Sequence, residues 1–506
     1  MVTKDFSSLQ MKGVKKVDIQ VDADAAAKRL SKAITFRTIS NQDRSDFDEQ
    51  AFRDWHQYLM DTYPLVHKTL KREVVGAPRA FSLLYTWEGK NPSLPPVVLM
   101  GHQDVVPVVP GTEGQWEHDA YSGDITDGYI WGRGSLDDKI MILGILEAIE
   151  LRLKEGFQPT RTLYLVFGQD EEVGGPEGAM QVPALLQARG VKEVALVLDE
   201  GVPIVPGLFP GVTAPVAMIG TAEKGYVSLQ LKVSGAGGHS AMPPKVSNIG
   251  ILAQAITKLE ANPFAYRVTQ IVRDQMRFMG PELPAATQEI LVDIVFGTEK
   301  EHSEDDGHHH VEGHTNCPTA GWHVETDSQE QFFKYMLAGP QTTAMLHTTT
   351  AVTMFNAGVK ENVMAPFATA VVNFRILQGE TVQSVIDYVK QVVNDPRVVV
   401  TDISASIDPS PISNPYGNEY KLIEKSIRQT WDLPGLVVAP YLVIGGTDSK
   451  FFHASIARNV YRFTAVRVES AVDVGRWHGV NERVLVDEYA NSIRFFHNFI
   501  GNAEEV

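Results

Sequence analysis

Three short apolar segments in the first half of the chain each stop abruptly at a histidine or at acidic residues. The segments and the polar residues that follow them are Pro96–Met100 with Gly101–Asp104, Thr162–Phe167 with Gly168–Glu172, and Val194–Leu198 with Asp199–Glu200. Such segments are typical of buried strands, and helix-like segments separate them at Ile140–Lys154 and Val182–Gly190. The β-α-β-α-β order favours an α/β fold with a central, mostly parallel sheet, in which ligands bind at the carboxyl ends of the strands.

The pattern changes between residues 224 and 408. Strands and helices are predicted there in the order β-α-β-β-α-β, which is the signature of a ferredoxin-like α+β module. We therefore predict that an α/β domain formed by residues 1–223 and 409–506 is interrupted by an inserted smaller domain at 224–408. A stretch at about 274–346 fits neither pattern and is predicted to be an irregular insertion.

The charge balance limits the partners of the chain. Its 506 residues include 45 Lys and Arg against 62 Asp and Glu, and the net charge of −17 repels phosphate backbones and anionic lipid surfaces. No run of about 18 apolar residues is present, and the N-terminal residues lack the apolar centre of a signal peptide. We therefore predict a cytoplasmic protein without a nucleic-acid partner or a membrane span, or a secreted or periplasmic one if a leader has been removed.

The polar residues at the strand ends are of the types that bind zinc, cobalt or manganese. His102 and Asp104 are two positions apart on an extended strand end, so they share a face, and Asp104 can orient the imidazole of His102. Asp137 follows a glycine-rich turn, where its carboxylate could bridge two cations. Glu171 and Glu172 are adjacent, so one can bind metal while the other faces a water molecule. Each residue alone is more often an ordinary polar residue at a loop mouth, and only their coincidence at one sheet edge favours a metal site.

Other motifs carry weaker signals. The glycine-containing segments Gly132–Asp137 and Gly235–Ser240 both lack the last glycine of a dinucleotide-binding fingerprint, and no phosphate-binding loop or serine-nucleophile elbow occurs. A histidine-rich group in an acidic stretch is predicted to be a solvent-facing loop in preference to a second metal site. Its members are His302, His308, His309, His310 and His314.

Eight motifs together resemble those of the M20 metallopeptidase family, and within it the branch that holds carboxypeptidase S and the N-fatty-acyl-amino-acid hydrolases. The resemblance extends from about residue 30 to 500, with the histidine-rich stretch as its main departure. The motifs are Gly101–Asp104, Gly132–Lys139, Asp170–Gly175, Leu198–Gly201, Gly238–Ser240, Val372–Arg375, Gly445–Ser449 and Trp477–Glu482.

This resemblance implies a zinc-peptidase-like catalytic domain with two Zn²⁺ ions, for which Co²⁺ or Mn²⁺ are possible substitutes. Asp137 is expected to bridge the ions, and Glu171 is expected to act as the general base. The remaining implied ligands are His102 and Asp199 for one ion and Glu172 and His478 for the other. Only the match to Trp477–Glu482 points to His478, because that residue follows none of the predicted strands.

The resemblance also implies substrate contacts from the inserted domain, which is expected to act as a lid and to form a homodimer. Arg375 would bind the carboxylate of the amino acid leaving group, for which a planar guanidinium is suited. His239, from the partner subunit, would stabilise the oxyanion with help from Asn362, and Gly446 would contact the substrate through its backbone. Without the resemblance, Arg375 would be interpreted as a solvated residue on a strand.

The expected reaction is hydrolysis of the amide bond that joins an acyl or aminoacyl group to a C-terminal amino acid with a free carboxylate, and the reverse direction, synthesis, stays open. Two substrate classes fit this reaction: N-acyl amino acids and short peptides. A catalytically silent metal-binding scaffold is the alternative from another class. Intact ligand positions and an intact Glu171 argue against that alternative.

Overall fold

The computed structural model of the chain describes residues 6–207, 214–296 and 327–505. The predicted histidine-rich loop at 302–314 lies outside these residues. The described chain forms two compact units. The smaller unit contains Glu223–Ser410 and Leu442–Gly446 together with Phe6 and Ser7, and the larger unit contains Ser8–Ala222, Pro411–Tyr441 and the chain from Thr447 onward.

The strands are numbered in chain order. They are β1 (Lys71–Val75), β2 (Ser82–Trp87), β3 (Val97–His102), β4 (Ile125–Thr126), β5 (Tyr129–Trp131), β6 (Leu163–Gly168), β7 (Leu196–Asp199), β8 (Ile204–Pro206), β9 (Pro215–Glu223), β10 (Gly225–Ser234), β11 (Gly238–His239), β12 (Thr349–Ala357), β13 (Val363–Met364), β14 (Phe367–Ile376), β15 (Val398–Asp402), β16 (Val437–Val443), β17 (Val460–Arg462) and β18 (Arg483–Leu485).

The α-helices are numbered in the same way. They are α1 (Ala23–Ile34), α2 (Glu49–Thr62), α3 (Pro64–Thr69), α4 (Lys139–Lys154), α5 (Val182–Ala188), α6 (Asn248–Ala261), α7 (Gln270–Met279), α8 (Ala285–Phe296), α9 (Asp327–Met336), α10 (Pro340–Ala344), α11 (Val382–Val393), α12 (Asn418–Thr430), α13 (Lys450–His453), α14 (Ala471–Val474) and α15 (Val486–Asn502).

The large sheet has the order β1-β2-β6-β3-β7-β17-β9-β16, with β8 paired to β9. Strands β6, β3, β7 and β17 are parallel to one another, whereas β1 and β2 add antiparallel strands at one side and β9 is antiparallel to β17. Every residue of β3 and β7 is buried, as expected for strands covered on both faces. The predicted α/β fold class with a mostly parallel central sheet is confirmed.

Helices cover both faces of this sheet. The long helix α4 is buried along most of its length and packs on β3 and against α15. On the other face, α5 and α13 contribute Leu186 and Phe452 to a buried cluster that also contains Val98, Met100 and Val166. The strands are therefore packed between two layers of helices.

The smaller unit contains a four-stranded antiparallel sheet in the order β12-β14-β10-β15. Helices α6 and α11 pack on one face, because alternate residues of β14 are buried there against apolar residues of the helices. The chain order β10-α6-β12-β14-α11-β15 is that of a ferredoxin-like module. In the segment predicted to be irregular, the described residues form the four helices α7 to α10.

No helix in the described parts of the chain has both the length and the apolar composition that a bilayer-spanning segment requires.

Candidate metal centre

The carboxyl ends of adjacent parallel strands bring the first site residues together. His102 is the last residue of β3, and it is in register with Gly168, the last residue of β6. The next turn of chain after β6 is a short 3₁₀ helix, Glu171–Val173, which carries two adjacent acids. On the other side of β3, strand β7 ends at Asp199. Three strands therefore deliver imidazole and carboxylate groups to one edge of the sheet.

Asp137 lies between two imidazoles. Its Oδ1 is 2.8 Å from Nε2 of His102, and its Oδ2 is 3.0 Å from Nε2 of His478. The same nitrogen of His478 is 3.1 Å from Oε2 of Glu172. Side chains from four separate parts of the chain therefore converge on one small volume.

The short strands β5 and β18 explain why a histidine near the C-terminus reaches this volume. They pair antiparallel with Arg483 opposite Trp131, so the turn that precedes β18 lies beside the turn that follows β5. His478 is in the first of these turns and has a positive φ of 56°. Asp137 follows the second turn, directly before α4.

Glu482 holds the turn that carries Asp137. Its Oε1 accepts hydrogen bonds from the backbone N–H groups of Gly134 (3.0 Å) and Leu136 (2.8 Å), and its Oε2 accepts one from Nη1 of Arg133 (2.7 Å). Arg133 and Glu482 are both almost completely buried. This ion pair fixes the backbone of the turn that bears the carboxylate of Asp137.

Asp104 holds neighbouring site residues in position by hydrogen bonds. Its carboxylate accepts hydrogen bonds from the backbone N–H groups of Glu171 and Glu172, both at 3.1 Å. Its backbone carbonyl, 2.9 Å away, accepts the hydrogen bond from Nδ1 of His102, whereas the carboxylate is 3.5 Å from that nitrogen. The imidazole therefore presents Nε2 to the centre of the site, although the closest contact uses the backbone of Asp104 and not its side chain.

Glu200 was not predicted as a site residue. Its Oε1 lies 3.4 Å from Nε2 of His102. The neighbouring Asp199 accepts hydrogen bonds from the backbone N–H groups of Ser449 and Glu200, both at 2.9 Å. The carboxylate of Glu200 therefore faces His102, whereas that of Asp199 is bound by these backbone groups. The sequence contained the pair, but not the direction in which each side chain points.

The potential ligand atoms form two groups, in each of which they lie within 4.8 Å of one another. The groups are His102 with Asp137 and Glu172, and His102 with Asp138 and Glu200. Asp138 is fully buried, and its Oδ2 accepts a hydrogen bond from the backbone N–H of His102 at 3.1 Å.

The pKa values reflect the crowding of carboxylates in the site. Burial, together with the charge of Asp137, raises the pKa of Glu172 to about 7, and burial likewise raises that of Glu200 to about 7. Hydrogen bonds to Asp137 and Glu172 raise the pKa of His478 to about 10. Burial, followed by the charge of Glu200, raises the pKa of Glu171 well above its usual range. These acids repel one another, and a cation would relieve the repulsion.

The residues fit a metal centre. Oε1 of Glu172 and Oδ1 of Asp138 are buried without a hydrogen-bond partner, which is costly unless another group binds them. Imidazole nitrogens and carboxylate oxygens are the donors that zinc takes in catalytic sites. Their arrangement around Asp137 provides donors on both sides of one carboxylate.

The other predicted site residues belong to the smaller unit. His239 is exposed on β11, where its Nδ1 accepts a hydrogen bond from the backbone N–H of Ala241. Strand β11 pairs with β13, and the backbone carbonyl of Asn362 accepts a hydrogen bond from Ser240 at 3.3 Å, so His239 and Asn362 are close neighbours. Arg375 is on β14, and Gly446 follows β16.

Comparison with known proteins identifies the family. A family model described as peptidase family M20/M25/M40 matches residues 98–502. The chain belongs to this family. It is therefore an enzyme of the M20 peptidase type, and the resemblance inferred from the motifs is confirmed. The family is one of metallopeptidases, in agreement with the donor set around Asp137.

Several relatives within the family are similar over most of their length. The chain is 36% identical over 484 residues to the probable carboxypeptidase S-like 2 of Dictyostelium discoideum, covering 95% of this chain and 85% of the relative. It is 36% identical over 460 residues to the N-fatty-acyl-amino acid synthase/hydrolase PM20D1 of Homo sapiens, with 90% and 83% coverage. It is 30% identical over 528 residues to carboxypeptidase S of Saccharomyces cerevisiae, with 95% and 84% coverage.

Solved structures share the M20 fold at low sequence identity. An M20 family metallo-carboxypeptidase from Sulfolobus solfataricus superimposes with a TM-score of 0.63 at 15% identity, covering 96% of this chain and all of that one. Human carnosine dipeptidase 1 gives the same TM-score and identity, with 96% and 97% coverage.

Proposed function

We propose that this M20 enzyme uses two zinc ions to hydrolyse the amide bond between an acyl or aminoacyl group and a C-terminal amino acid with a free carboxylate. Cobalt or manganese would be accepted by the same nitrogen and oxygen donors. The observation that carries the proposal is the position of Asp137, whose carboxylate lies within 3.0 Å of Nε2 of both His102 and His478. A carboxylate between two imidazoles is the arrangement that a bridging ligand requires.

One ion would be held by Asp137, Glu172 and His478, and the other by Asp137 and His102 with an acid from the end of β7. The family resemblance assigns Asp199 as that acid. The 3.4 Å separation between Glu200 and His102 supports Glu200 instead, with Asp199 anchoring the backbone that follows β16.

When bound, the ions would supply the charge that lowers the pKa of water from about 15.7 toward 7 and that polarises the scissile carbonyl. Glu171 would take the proton from the attacking water on its carboxylate and deliver it to the nitrogen of the leaving amine. The hydrogen bond from its backbone N–H to Asp104 fixes the position of the backbone at Glu171. Asp104 would also keep Nε2 of His102 directed at the site.

The smaller unit would supply the substrate contacts. Arg375 would bind the carboxylate of the leaving amino acid, and His239 and Asn362 would stabilise the oxyanion, with the backbone of Gly446 also in contact with the substrate. His239 and Asn362 are close in space because β11 pairs with β13, and this proximity supports their joint role.

The substrate we favour is an N-acyl amino acid, because relatives named N-fatty-acyl-amino acid synthase/hydrolase match over most of this chain. The carboxypeptidase names of other relatives favour short peptides as the second candidate. Turnover of N-lauroyl-phenylalanine and of Gly-Phe by the zinc-loaded enzyme distinguishes them. Failure of the first with success of the second would retire the acyl proposal, and zinc binding without turnover of either would favour a silent scaffold.

A homodimer through the smaller unit is the assembly we propose. Strand β12 is at the edge of its sheet, pairs only with β14 among the described strands, and exposes Met354 (54%) and Phe355 (44%). An exposed apolar edge strand is a template for pairing with a second chain. Light scattering of the wild type and of Phe355→Lys tests it, and a wild type that is monomeric and fully active at micromolar concentration would contradict it.

A cytoplasmic location stays a prediction from the sequence.

A further inference from the structure

Arg375 belongs to a row of three side chains on one face of the smaller unit's sheet. In the strand register it is opposite Tyr226 on β10 and opposite Thr349 on β12. Residues opposite one another on antiparallel strands point to the same face. The neighbours Val227 and Phe374 are fully buried on the other face, in the core that α6 and α11 cover. The row therefore lies on the face away from these helices.

The aromatic ring of Tyr226 supports the guanidinium of Arg375. Cζ of Arg375 lies 4.9 Å from the centre of the ring, within the range of a cation–π contact. The planar fork of a guanidinium binds a carboxylate through two hydrogen bonds, so its orientation decides whether both can form. The contact with the ring of Tyr226 limits the positions that the guanidinium can take.

Tyr226 is itself held from two sides. Its hydroxyl is 3.0 Å from Oγ of Ser228, and Oγ of Ser228 accepts a hydrogen bond from Nδ2 of Asn373 at 3.1 Å. Its backbone N–H and carbonyl are both bonded to the backbone of Ile407, at 2.8 and 3.0 Å. Asn373 is two residues before Arg375 on β14, so both ends of this chain of contacts start from the same strand.

We propose that Tyr226 is a positioning residue for the leaving group, which holds the guanidinium of Arg375 in the orientation that recognises an unsubstituted α-carboxylate. Ser228 and Asn373 fix the ring that does this. The inference rests on the proposed function, since it takes Arg375 as the group that binds the carboxylate. It predicts that the enzyme prefers substrates whose amino acid has a free carboxylate over the corresponding amides or esters.

The test compares Tyr226→Leu with Tyr226→Phe, using N-lauroyl-phenylalanine and its carboxamide as substrates of the zinc-loaded enzyme. Tyr226→Leu removes the ring, and we expect KM for the free acid to rise about tenfold, with kcat and the slow turnover of the carboxamide unchanged. Tyr226→Phe keeps the ring and loses only its hydrogen bond to Ser228, so we expect a smaller rise in KM for the free acid, of at most about threefold. Equal losses on both substrates, or an unchanged KM for the free acid, would overturn the inference.

A second measurement separates this inference from the proposed function. Binding of free phenylalanine, the expected product, is measured by calorimetry in the wild type, Tyr226→Leu, Arg375→Lys and the double variant. We expect each single variant to weaken binding and the double variant to be no weaker than Arg375→Lys, because both act on one contact. Additive losses would overturn the inference. A wild type that binds phenylalanine in this pattern but hydrolyses neither substrate would contradict only the proposed function.

Discussion

Nε2 of His478 lies 3.0 Å from Oδ2 of Asp137, although one residue is in the turn before β18 and the other precedes α4. His102 makes the equivalent contact with the other oxygen of the same carboxylate. Asp137 therefore links two imidazoles that belong to different parts of the chain. If it bridges two ions, its loss must affect both of them at once.

We expect Asp137→Asn to reduce the bound zinc from two ions per chain to less than one, since an amide offers one oxygen acceptor and no charge. Turnover should fall at least about 100-fold, the upper end of the range for a residue that only supports a ligand. Elemental analysis after dialysis measures the metal content. Asp124→Asn, an exposed change in the same unit, is the control and should retain both ions. Two retained ions in Asp137→Asn would contradict the bridging role.

Glu200 and Asp199 are expected to differ in their effects on metal content. Glu200→Gln should lose one of the two ions, because its carboxylate faces His102. Asp199→Asn should keep both ions with affinity weakened by about 10- to 100-fold, because it acts through the backbone N–H of Ser449. Titration with a zinc chelator compares the two variants. The opposite ranking would return the ligand role to Asp199.

The adjacent acids Glu171 and Glu172 provide a matched pair. Glu171→Gln should retain two ions but lower kcat by about 10²- to 10⁴-fold, as expected for the loss of a general base. Glu172→Gln should instead lose one ion, because Oε2 of Glu172 is in contact with His478. Metal analysis and kcat are measured on both variants. Equal kcat in the wild type and in Glu171→Gln would refute the base assignment.

The strand ends were the part of the site that the sequence predicted by physical reasoning. A buried parallel strand is apolar until it leaves the core, so the residue types alone located His102, Asp104, Glu171 and Glu172 at one edge. His478 has no such signal, since it is in a turn of positive φ and reaches the site only through the pairing of β18 with β5. Family motifs were needed to find it.

Two other features were not predicted from the sequence. Which of Asp199 and Glu200 faces the site depends on the backbone of Ser449, which is distant along the chain. The helices α7 and α8 were not predicted, because Pro281 and Pro284 interrupt the apolar pattern between them.

The buried pair of Arg133 and Glu482 is expected to affect both stability and metal affinity. Glu482→Gln should destabilise the larger unit by about 3–5 kcal/mol, since it leaves Arg133 buried without a charged partner. It should also weaken zinc binding by about 10- to 100-fold through the turn that carries Asp137. Chemical denaturation and zinc titration measure the two effects. The double variant Arg133→Met, Glu482→Gln should recover stability but not zinc affinity, and recovery of both would show that the turn is held by other contacts.

His453 is expected to make the larger unit less stable in acid. It is buried, and burial together with the charge of Arg462 lowers its pKa to about 3. Above pH 6.5 the imidazole is neutral in the folded and unfolded chain, so it does not affect the pH dependence. Below that pH the unfolded chain binds a proton that the folded chain does not. The free energy of unfolding should therefore fall by about 1.4 kcal/mol per pH unit from this residue until pH 3 is approached.

His453→Leu removes this titration while keeping a side chain of similar size. We expect the free energy of unfolding of the variant to decrease less steeply than that of the wild type between pH 6 and pH 4.5, as measured by urea denaturation. At pH 8 the imidazole of the wild type is neutral in both the folded and the unfolded chain. The difference in the free energy of unfolding between the wild type and the variant at that pH therefore gives the effect of packing alone. If the two proteins lose stability in parallel as the pH falls, protonation of His453 does not cause the acid destabilisation. His56, another buried histidine, whose pKa is lowered to about 4 by burial, is then the residue to replace.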